Sequence, residues 1–132
     1  MARIEDKKEE IQNYLEELGT ILPRDFEEYQ RDYVKKAACE RYFERIIGAV
    51  TDLAFIFIKE NKLKIPEEEK EIFDILVNEE IIKKDLGARL KDARGMRNII
   101  AHQYGKVDDE IVFESITSQL IKDIEEFMEK IV

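Results

Sequence analysis

The octapeptide "RNIIAHQY", Arg97 to Tyr104, brings together an arginine, the only histidine of the chain and a tyrosine. A guanidinium keeps its charge at any physiological pH and can neutralise a phosphate. An imidazole titrates near neutrality and moves protons to and from oxygen. Arg97 and His102 therefore supply what RNA cleavage by its own ribose requires. The 2′-hydroxyl is the nucleophile, so the protein has only to take a proton from it, return one to the leaving oxygen and stabilise the charge on phosphorus. None of the familiar metal-ligand spacings occurs, and this chemistry calls for neither metal nor cofactor. From spacing alone the plainer role, a salt bridge and a helix cap, is the commoner one for such a pair.

Arg97 stands in an unusual place. Leu86, Leu90, Ala93 and Ile100 fall on one stripe of a helix at roughly 100° per residue, and Arg97 lies in the middle of it. A charge drawn out of water there needs an acidic, carbonyl or phosphate-like partner. His102, five positions on, is about 140° round a regular helix from Arg97, so one straight helix does not converge them. Asn98 and His102, four apart, share a face and can hydrogen-bond. Gly105 supplies a stop, and Tyr104 then lies beyond the helix end, where its hydroxyl meets solvent or a partner.

The elements that must hold this motif read as helices. Two prolines and five glycines interrupt 132 residues, and apolar residues recur mostly at steps of three and four. A first helix spans about Ile4 to Leu18 and stops at Gly19. Asp25 to Ile58 reads as one long helix or two abutting ones. Pro66 opens a short helix with an acidic first turn and a buried face of Phe73, Leu76 and Val77. The motif helix begins near Asp85. The last starts at Asp108, a plausible N-cap, and buries Val112, Ile116, Leu120, Ile124, Phe127 and Ile131. The expected fold is all-α, an antiparallel bundle of about five helices forming a single domain over residues 1–132.

Composition narrows the function classes. Lys and Arg number 22 against 31 Asp and Glu, a net charge of −9, which argues against broad adhesion to nucleic acid or an anionic membrane but leaves room for a local basic cleft. The basic run Lys83, Lys84, Arg89, Lys91 and Arg94 precedes the motif; a solvated face is the default for such a run, and beside a phosphate-handling site it is also the first candidate for an RNA-contacting surface. One cysteine, Cys39, rules out an internal disulfide and reads as a small packing residue in a reducing cytoplasm. The N-terminus lacks the apolar core of a signal peptide, and the longest apolar run, "LAFIFI", is too short to span a bilayer. Tyr29, Tyr33, Tyr42 and Phe43 have the spacing of core or interface residues.

"RNIIAHQY" matches the Arg, four residues, His, one residue, Tyr motif of HepT-like proteins, a branch of the HEPN superfamily of nucleotide-binding domains. "ACERYFERIIGA" resembles that family's second signature, Ala-x-Glu-Arg followed by an Ile-Gly pair, and the segment from Val107 to Val132 is similar to its closing helix. The resemblance implies the toxin of a type VII toxin-antitoxin system: a homodimeric helical endoribonuclease with Arg97 and His102 as the catalytic pair near the subunit interface. Its substrate would be RNA, tRNA among the candidates. Its partner would be an MntA-type nucleotidyltransferase antitoxin that AMPylates the motif tyrosine, Tyr104, so that bulk and negative charge repel the RNA backbone. Two motifs facing across a two-fold axis would also build the composite cleft that a single helix does not. Glu40 and Arg41 match the second signature. Glu40 is a candidate counter-ion of Arg97, with an exposed salt bridge slightly favoured; Arg41 is a candidate phosphate contact with the same plainer reading. Ala49 follows Ile47 and Gly48 where many relatives carry an acid. The alternative function is a non-catalytic subunit that presents RNA or nucleotide to a nucleotidyltransferase, with Arg97 as a phosphate anchor; a bare dimerisation bundle ranks third.

Overall fold

The computed structural model describes residues 2–102 and 107–132, and every regular element among them is helical. The elements are α1 (Ala2–Ile21), α2 (Phe26–Arg31), α3 (Tyr33–Glu60), α4 (Ile72–Asn78), α5 (Lys84–His102), α6 (Asp109–Glu114) and α7 (Leu120–Lys130). A 3₁₀ turn, Glu69–Glu71, leads into α4. A π turn, Ser115–Gln119, fuses α6 and α7 into one rod. Six rods result, one more than periodicity suggests, because the stretch from Asp25 to Ile58 divides. Asp32 breaks it: its backbone is extended, it ends α2, and its side chain accepts the Lys35 N–H to start α3. Asp25 caps α2 in the same manner through the Glu28 N–H.

Two expected boundaries moved. α1 continues through Gly19 to Ile21, since Ile21 and Leu22 pack against the core and that gain outweighs glycine's helix penalty of about 1 kcal/mol. Pro23 then ends the element. The helix expected at Pro66 begins later, as the 3₁₀ turn at Glu69 and the α4 helix at Ile72. The acidic stretch closes a turn instead, with the Glu67 N–H donating to the Glu71 carboxylate.

α3 is the axis of the molecule. It runs antiparallel to α1, as the pairs Tyr42 with Glu17 and Lys7 with Asp52 show, and it buries residues along nearly its whole length from Cys39 to Ile58. Against it pack α5 and α4, and α7 closes over α5. Phe43, Ile47, Leu53, Phe73 and Phe127 are among the side chains sealed from water, each contributing roughly 1.5–3 kcal/mol by burial.

The π turn has a sequence cause. Val112, Ile116, Leu120 and Ile124 recur every four residues, and all four are buried. A regular helix would let that stripe drift round by about 40° per step; an i→i+5 turn takes up the surplus residue and keeps the stripe on the core. Thr117 and Ser118 supply the local chemistry, their hydroxyls donating to the carbonyls of Phe113 (2.7 Å) and Glu114 (2.9 Å).

Candidate active site

α5 carries the motif and is held in place by its first half. Leu86, Gly87 and Leu90 are buried, and Gly87 lets α5 approach α4 so closely that a methyl group there would collide with Val77. From Ala93 onward the same helix is only partly buried, and His102, its last residue, is exposed.

Arg97 lies where the periodicity puts it, on the inward face of α5. Its guanidinium passes over Gly48 of α3, with Nη2 at 3.8 Å from the place a Cβ would occupy. It enters a cleft of about 190 Å³ between α1 and α3 lined by Glu10, Tyr14, Arg41, Glu44, Arg45 and Asp52 about Gly48. Nη1 donates to the Asn98 Oδ1 at 3.3 Å, while Nε is sealed from water and finds no acceptor among the described residues. Among the described residues no carboxylate forms an ion pair with Arg97. The acids its placement demanded, Glu10, Glu44 and Asp52, line the cleft without pairing with Arg97. Arg97 thus brings a positive charge to a small concave space bearing two further arginines.

The remaining candidates divide. Arg41 is exposed, pairs with Glu44 at 3.5 Å and lines the same cleft, so it is close enough to share an anion with Arg97. Asn98 touches Arg97 directly. Glu40 is neither Arg97's counter-ion nor an exposed salt bridge. It is half-buried on α3 beside Lys36, Asp109 and Glu44, and burial, helped by the two neighbouring acids and opposed by Lys36, raises its carboxyl above the ordinary range. Lys36 is committed to Asp109 at 2.7 Å, which leaves Glu40 the less neutralised of the two acids. Ala49 is buried, so no acid stands there; Glu44 and Asp52, one turn to either side of Gly48, occupy the space that Arg97 enters. Periodicity could have found both, since positions four apart on α3 share a face. Tyr104 lies outside the described residues.

The basic run before the motif is less positive than its sequence suggests. Arg89 donates from Nε to both oxygens of Asp123 (3.0 and 3.1 Å), Lys91 pairs with Asp74 (2.9 Å) and Arg94 with Glu69 (3.5 Å). These acids come from distant parts of the chain, which is why the run alone did not reveal its neutralisation. The aromatic residues behave mostly as core: Tyr29 and Phe43 are buried, Tyr42 donates to Glu17 at 2.8 Å, and Cys39 is a buried free thiol pushed up to about 11 by desolvation. Tyr33 is the exception, standing 81% exposed beside Val34. Among the described residues no group of three or more His, Cys, Asp or Glu is arranged to hold a metal ion, and no helix is long and apolar enough to cross a membrane.

The fold and site together define an all-α class of protein, a helical bundle with a half-buried arginine over a helix glycine, five residues before a helix-terminal histidine. The chain belongs to the ribonuclease HepT-like family, whose model matches residues 11–131. It is 26% identical over 107 residues to the mRNA nuclease HepT of Shewanella oneidensis, covering 81% of this chain and 80% of that protein. Its fold superposes on that of a tri-AMPylated Shewanella oneidensis HEPN toxin in complex with an MNT antitoxin, with a TM-score of 0.89 at 24% identity over 97% of this chain and 95% of the other. A cytosolic protein of unknown function from Bacillus subtilis, YutE, has the same fold, with a TM-score of 0.81 at 20% identity, covering 98% and 86% of the two chains.

Proposed function

We propose that this chain is the toxin of a type VII toxin-antitoxin pair, a HepT-like endoribonuclease that cuts RNA without a metal through Arg97 and His102. The observation that carries the reading is the guanidinium of Arg97, drawn onto the core side of α5 with a sealed Nε and no carboxylate partner among the described residues. Such a group has been desolvated in advance for an anion, and a phosphodiester supplies one. In the reaction, His102 takes the proton of the ribose 2′-hydroxyl as its oxygen attacks the adjacent phosphorus. The P–O5′ bond breaks, the 5′-oxygen receives a proton from an imidazolium, and a 2′,3′-cyclic phosphate remains. Arg97 stabilises the charge that builds on the non-bridging oxygens, Arg41 steadies the neighbouring phosphate, and Asn98 holds the guanidinium in orientation.

The whole chain acts as one domain, and the functional unit is a homodimer in the cytoplasm. The resemblance to the HEPN toxin complexed with its MNT antitoxin supports an MntA-type nucleotidyltransferase as the partner. AMPylation of Tyr104 would place phosphate charge two residues from His102 and exclude RNA by repulsion and occlusion.

The test is incubation of purified protein with total cellular RNA, tRNA included, in EDTA, beside His102→Ala, with product ends mapped. Cleavage by the parent alone, leaving cyclic-phosphate ends, is expected. If a parent protein shown by mass to carry no AMP fails to cleave but still binds RNA, the non-catalytic presenting subunit is the correct reading.

A further inference from the structure

A second cavity, of about 380 Å³, opens on the other flank of α5, in the seam with α6, the π turn and α7. Its walls are apolar: Ala93 and Met96 from α5 face Ile111 and Leu120, with Phe43 at the floor. One edge is polar, and the π turn shapes it by bringing Ser115 and Gln119 to the cavity opposite Asp92 and Arg89. Asp123, with its side chain only 7% exposed, fixes that edge: both its oxygens accept from Arg89 Nε, and one accepts the Gln119 amide at 2.9 Å. Gln119 lines the cavity with its amide nitrogen committed to Asp123, which leaves its carbonyl oxygen as the group able to accept from a ligand.

The edge is therefore rich in acceptors, namely the Gln119 carbonyl, the Asp92 carboxylate and the Ser115 hydroxyl. An apolar-walled cavity with such an edge suits a planar ring that carries an amino group. From this geometry we infer that the cavity is a nucleobase subsite selective for bases with an exocyclic amino group. The inference rests on the ribonuclease reading only for its ligand class. Met96 adjoins Arg97 in sequence, so the slot and the Arg97 cleft flank the same turn of α5. Adenine N6 and cytosine N4 each offer two N–H donors, whereas uracil and hypoxanthine present a carbonyl oxygen at the same position, against the acceptors. Arg89, at the mouth, has N–H groups remaining for the sugar-phosphate.

The test uses the matched pairs CMP with UMP and AMP with IMP, each differing at that one substituent, titrated into the full-length His102→Ala protein. The readouts are the Met96 methyl and Gln119 side-chain amide resonances. Preference for the amino-bearing member of each pair by about tenfold is expected, the worth of one well-made hydrogen bond. Gln119→Met, which keeps the volume and removes the acceptor, should abolish the preference, and Ala93→Leu, which fills the slot, should abolish the shifts. Equal affinity within the pairs, or no movement of those resonances, overturns the inference. Selective binding together with a parent that cuts no RNA would leave the subsite standing and remove the ribonuclease reading; cleavage without selective binding would do the reverse.

Discussion

At the scale of single residues, the same placement that makes Arg97 useful makes it costly to the fold. A donor sealed from water without an acceptor costs about 1–3 kcal/mol, and Arg97 Nε is such a donor. Arg97→Met should therefore raise unfolding stability by about 1 kcal/mol in denaturant titration while cleavage falls by about 10²–10³. A parallel loss of stability would instead make Arg97 a structural residue. Two glutamates give opposite pH signatures. Glu28 accepts from Lys35 (3.0 Å) and from Arg24 (2.8 Å from Nε and 3.1 Å from the backbone N), and these bonds hold its carboxyl down at about 2 against an ordinary 4.5. A depressed acid stabilises the fold above its unfolded pKa and loses that contribution as pH falls through the folded one. Glu28→Gln should lower Tm at pH 7, and the deficit should close between about pH 4.5 and 2. Glu40 is shifted the other way by burial. In its window the folded state holds more protons than the unfolded, so stability falls as pH rises. Glu40→Gln should raise Tm at pH 7, with the gain vanishing in acid; a loss at pH 7 would mean that the Glu40 carboxylate is paired after all.

At the scale of elements, α5 is two half-helices with different duties. The buried half, through Leu90, anchors; the half-buried remainder presents the motif. Two glycines separate these duties by experiment. At Gly87 a Cβ meets Val77, whose branched side chain has little freedom to yield, so Gly87→Ala should cost about 1 kcal/mol after the helix-propensity gain is deducted from the overpacking. At Gly95 nothing lies within 4 Å, and Gly95→Ala should stabilise by up to about 1 kcal/mol. Equal effects of the two changes in the same melt would show that α5 does not press on α4 at Gly87. The sequence made the motif helix, its misplaced arginine, the Asp108 cap and the stripe of the last rod legible, since each is a local pattern of period and residue type. The division at Asp32 was half-legible, because an aspartate between two amphipathic runs reads equally as surface and as cap. The partners of Arg89, Lys91 and Arg94 were not legible at all. Asp123 lies 34 residues from Arg89 and Glu69 lies 25 from Arg94, and only packing brings such pairs together. Nor did composition reveal the cleft at Gly48, which exists because α1, α3 and α5 meet there.

At the scale of the whole molecule, one geometric problem governs the proposed mechanism. Arg97 points inward over α3 toward α1, and His102 ends α5 on an exposed turn. Within one regular helix these two side chains diverge by about 140°, whereas in a two-fold dimer the histidine of one copy can meet the arginine of the other. Complementation separates the arrangements. Arg97→Met and His102→Ala proteins, each expected to be inactive alone, are denatured together and refolded as a mixture. If each site takes its arginine from one copy and its histidine from the other, a mixed dimer holds one site with both groups intact and one with neither. Random pairing makes half of the dimers mixed, so about a quarter of the parent activity should return. If each copy supplies its own pair, every site in the mixture lacks one group and no activity returns at any ratio. Recovery that falls away on dilution, in step with dissociation seen by sedimentation, would tie the chemistry to the two-fold axis and not to a rearrangement of α5.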